Sequence, residues 1–358
     1  MKQFHPLTVA AIERETSDSV RIALAVPEEF ASEYEFRPGQ HLPLRIRVDG
    51  ESWRRTYSIC SARDVRPLQI GVRIRSGGRF SEFVSRDLAV GDTLEAMPPF
   101  GGFHLDPDPE NVRDYVAFAA GSGITPILSM MQSVLPVEEQ SRFALFYGNR
   151  RKATAMFVED LYALKNRYPD RLQLHFVFSR EEPEFPIASG RLDGAKVREL
   201  YEHLCGGLNP AAYFICGPDT MIGDVTAALV ELGVDEAVIQ SERFGAPKAA
   251  KAAPPARTVI PEKGAHATVT VIMDGHRTSF EMERGDANIV DAAARQGIDL
   301  PYSCKGGVCA TCRCHVAAGE VTMGTNYALE PWEVEAGFAL ACQSRPVGDA
   351  VTLDYDRT

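Results

Sequence analysis

LPYSCKGGVCATCRC, residues 300–314, holds four of the chain's eight cysteines between Cys304 and Cys314. Together with the isolated Cys342, the thiols of Cys304, Cys309 and Cys312 form a C-x4-C-x2-C run with a distant fourth, the spacing that holds a plant-type [2Fe–2S] cluster. The chemistry accounts for the pattern. A short loop must wrap a compact cluster so that three thiolates converge, and Gly306 and Gly307 permit both the tight path and close approach of N–H donors to sulfur. Zinc, disulfides and plain core thiols compete for the same residues. Zinc sites favour two knuckles of paired short spacings, which this run lacks. Disulfides need an oxidising route, and MKQFHPLTVAAIERETSD lacks the basic-then-apolar order of a signal peptide. Cys314 reads as a structural thiol, as do Cys60 and Cys205, because free cysteine is so often buried.

Around this loop lie strand-like ATVTVIMDG and RTSFEME, a helical NIVDAAARQG and a closing VTLDYD. Upstream of them, residues 246–265, APKAAKAAPPARTVIPEKGA, replace apolar periodicity with Ala, Pro and Lys and read as an interdomain linker. Charge divides at the same place. The overall net charge is −11, with −6 on residues 266–358, +3 on the linker and −8 over the first 245 residues. An acidic chain with no long Lys/Arg run argues against nucleic acid as a partner. No apolar stretch reaches the ~18–20 residues of a membrane helix, so no membrane is expected and a cytoplasmic location is.

The opening hundred residues alternate short β-rich runs with turn signals: LTVAAIERE, SVRIALAVP, HLPLRIRVDG, RTYSICSA, LQIGVRIRSGG and DTLEAMPPFGG. Such spacing predicts an antiparallel barrel or sandwich. From Tyr115 the rhythm changes. YVAFAAG, RFALFYGN, LQLHFVFS and AAYFICGP alternate with helical ITPILSMMQSVL, AMFVEDLYALKNRYP, AKVRELYEHL and DTMIGDVTAALVELG, the pattern of a doubly wound parallel sheet. The expected organisation is multidomain: an antiparallel β-barrel over 1–108, an α/β doubly wound domain over 109–245, the linker over 246–265 and a small domain over 266–358.

Two motifs fall where apolar strands end and helices begin, the edge at which open α/β sheets hold ligands. In Gly121-Ser122-Gly123-Ile124-Thr125-Pro126, glycines let a pyrophosphate approach and the helix start supplies free N–H groups. Cys216-Gly217-Pro218-Asp219-Thr220-Met221 is the second. Taken singly, the first reads equally as a tight strand-to-helix turn. Within the β-rich part, Arg55-Thr56-Tyr57-Ser58 and Gly77-Gly78-Arg79-Phe80-Ser81 each join a phosphate-capable side chain to hydroxyl or backbone donors, though Arg55 alone reads as a solvated strand face and Tyr57 as a core ring.

In this order, and followed by Glu242-Arg243-Phe244, these motifs resemble the ferredoxin–NADP⁺ reductase superfamily across residues 7–244. Residues 266–358 resemble the β-grasp [2Fe–2S] ferredoxin domain. The resemblance implies a flavin in the barrel and a nicotinamide nucleotide on the α/β domain. Arg55 and Ser81, with Gly78 in the same turn, would hold flavin phosphates, and Tyr57 and Ser58 would lie against the flavin ring. Gly121, Gly123, Thr125, Cys216 and Gly217 would line the nicotinamide site, with Glu242 and Phe244 closing the other face. Cys216 would set transfer geometry rather than act as a nucleophile. Plant-type members end in an aromatic residue, whereas this chain continues beyond Phe244. FAD is implied over FMN. NADPH is implied over NADH, because no acidic residue stands at the ribose position and Ser179-Arg180 resembles a 2′-phosphate contact.

The order flavin, nicotinamide, ferredoxin resembles the reductase components of oxygenases. The segments FHPLTVA, FRPGQHLPL, RRTYSIC, GGRFS, LPYSCKGGVCATC and TNYALEP resemble the reductase subunits of phenylacetyl-CoA ring-1,2-epoxidases, which serve aerobic phenylacetate breakdown. That resemblance implies an NAD(P)H-dependent oxidoreductase whose partner and electron acceptor is a separate di-iron oxygenase. A reductase for another acceptor, such as a dioxygenase, a desaturase or the hybrid-cluster protein, shares every motif. A redox carrier or sensor without pyridine-nucleotide activity is the reading of a different class.

Overall fold

A computed structural model describes residues 3–48, 50–183, 185–244, 267–283 and 285–357. The expected linker, 246–265, lies outside the described residues. The chain forms two compact units, one built from Phe4–Trp53 and Tyr57–Phe244, the other mainly from the described residues after 266. Among the described residues no helix is long and apolar enough to cross a membrane.

The first unit opens with β1 (His5–Thr16), whose first six residues alternate buried and exposed, the signature of a half-buried strand. With β2 (Ser19–Ala25), β3 (His41–Val48), β4 (Glu51–Ser58), β5 (Leu68–Arg73) and β6 (Thr93–Ala96) it forms a six-stranded sheet in the order β4-β3-β6-β1-β2-β5. The pairs β1–β2, β1–β6, β2–β5 and β3–β6 run antiparallel, with Glu13 of β1 opposite Arg21 of β2 and Ile22 of β2 opposite Ile70 of β5. Just past β4, an isolated antiparallel bridge joins Ile59 to Ile70 of β5, so the two ends of the strand order meet. Leu7, Val9, Ile22, Leu24, Leu42, Leu44, Leu68 and Ile70 fill the interior, and the buried Tyr34 hydroxyl donates to the Ala96 carbonyl at 2.7 Å. Between β5 and β6 runs helix α1 (Arg79–Arg86), which turns Phe80 and Val84, four residues apart, into that core.

Five parallel strands follow: β7 (Asp114–Ala120), β8 (Arg142–Asn149), β9 (Leu172–Phe178), β10 (Pro210–Gly217) and β11 (Ile239–Arg243), ordered β11-β10-β7-β8-β9. Strands β7 and β8 are almost continuously buried, as a parallel sheet covered on both faces requires. Helices α2 (Ile124–Val137) and α3 (Val158–Arg167) cover one face, and α4 (Gly194–Leu204) and α5 (Asp219–Glu231) the other. The order runs outward from β7 to β8 and β9, then returns to place β10 on the far side of β7. A crevice between the carboxyl ends of β7 and β10 is the consequence.

The two sheets of this unit are bolted together away from that crevice. Arg21 pairs with both Glu15 and Asp160, Arg73 donates to the Thr154 carbonyl at 2.8 Å, and Ser129 Oγ donates to the Ser61 carbonyl at 2.7 Å.

In the second unit, β12 (Ala267–Met273), β13 (His276–Met282), α6 (Ile289–Arg295), β14 (Arg313–Ala318), β15 (Val321–Met323), α7 (Pro331–Glu335), β16 (Phe338–Leu340), β17 (Ser344–Pro346) and β18 (Ala350–Asp354) follow in order. Five strands form one sheet, β13-β12-β18-β14-β16, in which β12 and β18 are parallel, and β15 pairs with β17. Asn288 caps α6 by accepting the Asp291 N–H at 2.9 Å, and Ile289, Val290, Ala292 and Ala293 are buried beneath it.

Candidate functional site

At the end of β7 the chain turns at Gly121 with φ +56°, a left-handed conformation that glycine adopts without strain. Two residues on, a Cβ at Gly123 would lie 2.0 Å from the Cys216 carbonyl oxygen, so only glycine lets the turn and the end of β10 approach this closely. Helix α2 begins immediately, and Thr125 Oγ1 donates to the Ser122 carbonyl at 2.9 Å. Gly217 is less tightly confined: a Cβ there would stand 2.7 Å from the flexible Met221 Cε and 3.2 Å from the Ala120 side chain. Gly121, Gly123, Thr125, Cys216 and Gly217 therefore lie together at the carboxyl ends of β7 and β10, where the positive end of the α2 dipole suits a phosphate.

Cys216 is fully buried and pairs in register with Glu242 of β11. Burial first, and the neighbouring Glu242 charge second, push its thiol well above the ordinary range, so it stays neutral. The Glu242 carboxylate accepts from Ser58 Oγ at 3.1 Å and lies 3.0 Å from His41 Nδ1. A carboxylate from the parallel sheet thus meets two residues of the antiparallel one, all three buried. His41 Nε2 is buried without a hydrogen-bond partner among the described residues, an unsatisfied polar atom in a site otherwise satisfied. The orphaned His41 nitrogen and the open space beside Gly121, where an added Cβ would meet nothing within 4 Å, fit a polar ring system and a pyrophosphate.

The other flavin-side residues lie along β4 and α1. The Tyr57 ring packs 5.2 Å from that of Phe80. Gly78 caps α1, and Ser81 Oγ in its first turn donates to the Gly78 carbonyl at 3.0 Å and accepts the Arg75 N–H at 3.1 Å. Arg55 is exposed and bonds the Arg54 carbonyl at 2.7 Å. Ser179 and Arg180 follow β9, at the outer edge of the sheet and two strands from β7, where their N–H groups bond the Asn149 and Arg150 carbonyls, both at 3.0 Å. Phe244 is 43% exposed, one residue beyond β11. Sequence reasoning missed His41. Its only local signal is a histidine heading an apolar strand, and its partner is 201 residues away.

In the second unit the four thiols stand as two couples. The Cys304 N–H approaches Cys309 Sγ at 3.4 Å, and the Cys342 N–H approaches Cys312 Sγ at 3.5 Å. Among the described residues no three His, Cys, Asp or Glu side chains converge on a single-ion site. Two pairs suit two irons. Hydrogen bonding from Cys309, then from the Gly306, Val308 and Cys309 amides, holds the Cys304 thiol below its ordinary range, and the same Cys304 contact raises Cys309, so that one proton is shared unequally within the couple. Those donors stabilise a thiolate, the form that ligates metal. Lys305, Gly307 and Ala310 all take positive φ to wrap the loop. At Gly307, with φ +74°, a Cβ would stand 2.6 Å from the Thr325 carbonyl oxygen. Cys314 belongs to neither couple. Its thiol donates to the Ala339 carbonyl at 3.6 Å, and burial pushes it up to about 12. Cys60 and Cys205 are buried and free.

Comparison with known proteins follows this division. Residues 6–105 match the oxidoreductase FAD-binding domain, residues 118–227 the oxidoreductase NAD-binding domain, and residues 271–347 the 2Fe-2S iron-sulfur cluster binding domain. A component of the 1,2-phenylacetyl-CoA epoxidase of Escherichia coli K12 is 43% identical over 99% of both chains. The ferredoxin reductase component of 3-ketosteroid-9-alpha-monooxygenase from Rhodococcus rhodochrous is 35% identical over 98% of this chain and 96% of its own. Among solved structures, phthalate dioxygenase reductase superposes with a TM-score of 0.60 at 25% identity, over 98% of both chains.

Proposed function

The chain belongs to the NAD(P)H/FAD/2Fe-2S electron-transfer reductases related to the reductase subunit of phenylacetyl-CoA epoxidase, and from that premise we propose that it carries electrons from NADPH to a di-iron oxygenase acting on phenylacetyl-CoA. The observation that carries the donor half is the meeting of Ser58, His41 and Glu242 beside Cys216, at the crevice where the parallel strand order reverses. A flavin held beside Ser58, His41 and Glu242 would supply the conversion of a two-electron donor into single electrons, and the cysteine couples would hold the centre that takes them up.

The residues then have distinct tasks. Gly121 and Gly123 admit the nucleotide pyrophosphate, and Thr125 and Gly217 line its path. Cys216, neutral and immobile, fixes how deeply the nicotinamide enters, where small displacements are costly. Glu242 orients Ser58 and His41 toward the flavin ring, and Tyr57 flanks it. Arg55, Gly78 and Ser81 hold flavin phosphates, and the diphosphate of FAD suits two such anchors better than FMN does. Arg180 with Ser179 favours NADPH over NADH. Cys304 with Cys309 would hold one iron and Cys312 with Cys342 the other. The domain limits proposed are 1–108, 109–245 and 266–358, and the Ile59–Ile70 bridge supports reading the first sheet as a closed barrel.

Full-length 43% identity supports the acceptor assignment, and the ketosteroid monooxygenase relative supports a second reading, a reductase for another oxygenase. Purified holoprotein mixed with NADPH and the oxygenase subunits of a phenylacetyl-CoA epoxidase should turn over phenylacetyl-CoA. Turnover only with a ketosteroid oxygenase would transfer the assignment to the second reading.

A further inference from the structure

The second unit keeps three large apolar side chains of one short segment out of its core, on either side of the buried Leu329. Tyr327 is 42% exposed, Trp332 62% and Val334 41%. The backbone beneath them is firmly held. Asn326 Oδ1 accepts the Leu329 N–H at 2.8 Å, while its Nδ2 donates to the Leu329 carbonyl at 2.9 Å. Glu333 accepts the Glu330 N–H at 3.0 Å and pairs with Arg313 at 2.8 Å. Trp332 therefore stands out from an ordered support. Holding an indole in water on a rigid element gains nothing for folding, and exposed apolar surface rimmed by polar groups marks binding sites.

This stretch adjoins the cysteine loop directly. The Tyr327 N–H donates to the Gly307 carbonyl at 2.9 Å, and the Thr325 carbonyl occupies the space a side chain at 307 would need. Its charge is one-sided. From His315 to Ser344 there are thirty residues without a Lys or Arg and with four Glu. Glu333 is neutralised by Arg313, whereas Glu320, Glu330 and Glu335 meet no cation among the described residues.

We propose that residues 327–335 form the surface on which the electron-accepting protein docks. Trp332 is its anchor, Glu330 and Glu335 steer the encounter, and the partner offers an apolar recess bordered by Lys or Arg. Tryptophan is the residue type most often found at the energetic centre of an interface, and charges at the rim govern the rate of encounter. This rests on reading the chain as a donor to another protein. The step is one electron: the reduced unit loses one, the partner's oxidised centre gains one, and no bond or proton moves.

The test uses the full holoprotein and oxidised cytochrome c, whose exposed haem edge is ringed by lysines. Trp332→Ala should slow NADPH-driven cytochrome c reduction about tenfold. Glu335→Lys should flatten its dependence on ionic strength. Both variants should keep wild-type ferricyanide reduction and wild-type bleaching of iron–sulfur absorption by NADPH, which also reports that they fold. An unchanged cytochrome c rate in Trp332→Ala overturns the proposal. Slowed bleaching overturns it too, since the surface would then serve delivery from the chain's own flavin. Wild-type protein that bleaches yet reduces no cytochrome c refutes instead the donor reading beneath it, and the surface falls with it.

Discussion

Three of the four sulfurs in the cysteine site come from nine consecutive residues, and the amides that approach Cys304 belong to the same loop. The crevice of the first unit is made otherwise. Glu242 reaches it from 201 positions beyond His41 and 184 beyond Ser58, and the residues meet only because two sheets pack together. A locally written site depends on a loop's conformation, while an assembled one depends on the whole unit around it. The two should therefore fail differently, and separately.

The largest effect expected is a clean split between them. Cys342→Ser removes one sulfur from the Cys312 couple, and the iron–sulfur absorption and NADPH-driven cytochrome c reduction should both vanish. NADPH-driven ferricyanide reduction should persist at close to the wild-type rate, because no residue of the crevice lies in the second unit. Loss of both activities would break the separation. Gly123→Ala attacks the assembled site in turn. Its Cβ would sit 2.0 Å from a backbone oxygen that cannot swing aside. The expected cost is about 3 kcal/mol, the upper end for overpacking. That lowers the melting temperature of the flavin unit by roughly 10 °C. Ferricyanide reduction should fall with it, while iron–sulfur absorption stays.

This contrast also sets what could be read in the sequence. The gathering of Cys304, Cys309, Cys312 and Cys342 was legible because spacing along a loop is a local constraint, and Cys314 could be set apart by its place on the outgoing strand. The parallel sheet was legible from apolar runs alternating with helices, and the switch-point crevice follows from its topology. His41 was not. A histidine at the head of a strand carries no mark of a carboxylate two hundred residues later, and burial of both is a tertiary fact. Helix α1 was hidden behind its motif, since GGRFS reads as a turn until Phe80 and Val84 are seen sharing a buried face. The short strands β15–β17 were equally opaque, because three-residue strands show too little alternation to register.

The smallest expected effect lies at the rim of the assembled site, where the protein meets solvent. Arg180 follows β9 on an exposed edge, where its backbone N–H bonds the Arg150 carbonyl and its side chain makes no hydrogen bond or ion pair among the described residues. A solvated guanidinium gains little from any fixed contact, so its worth must come from a ligand that presents a dianion. Arg180→Ala should lower the ratio of kcat/KM for NADPH over NADH about tenfold, the value of one charge-assisted hydrogen bond. Turnover with saturating NADH should stay as it was, since nothing in the crevice touches this position. If NADH turnover falls equally, Arg180 is part of the assembled site rather than its rim. An unchanged ratio would move the choice of nucleotide to other residues at the carboxyl edge of the sheet, with Arg150 and Arg151 after β8 the nearest cations in sequence to that edge.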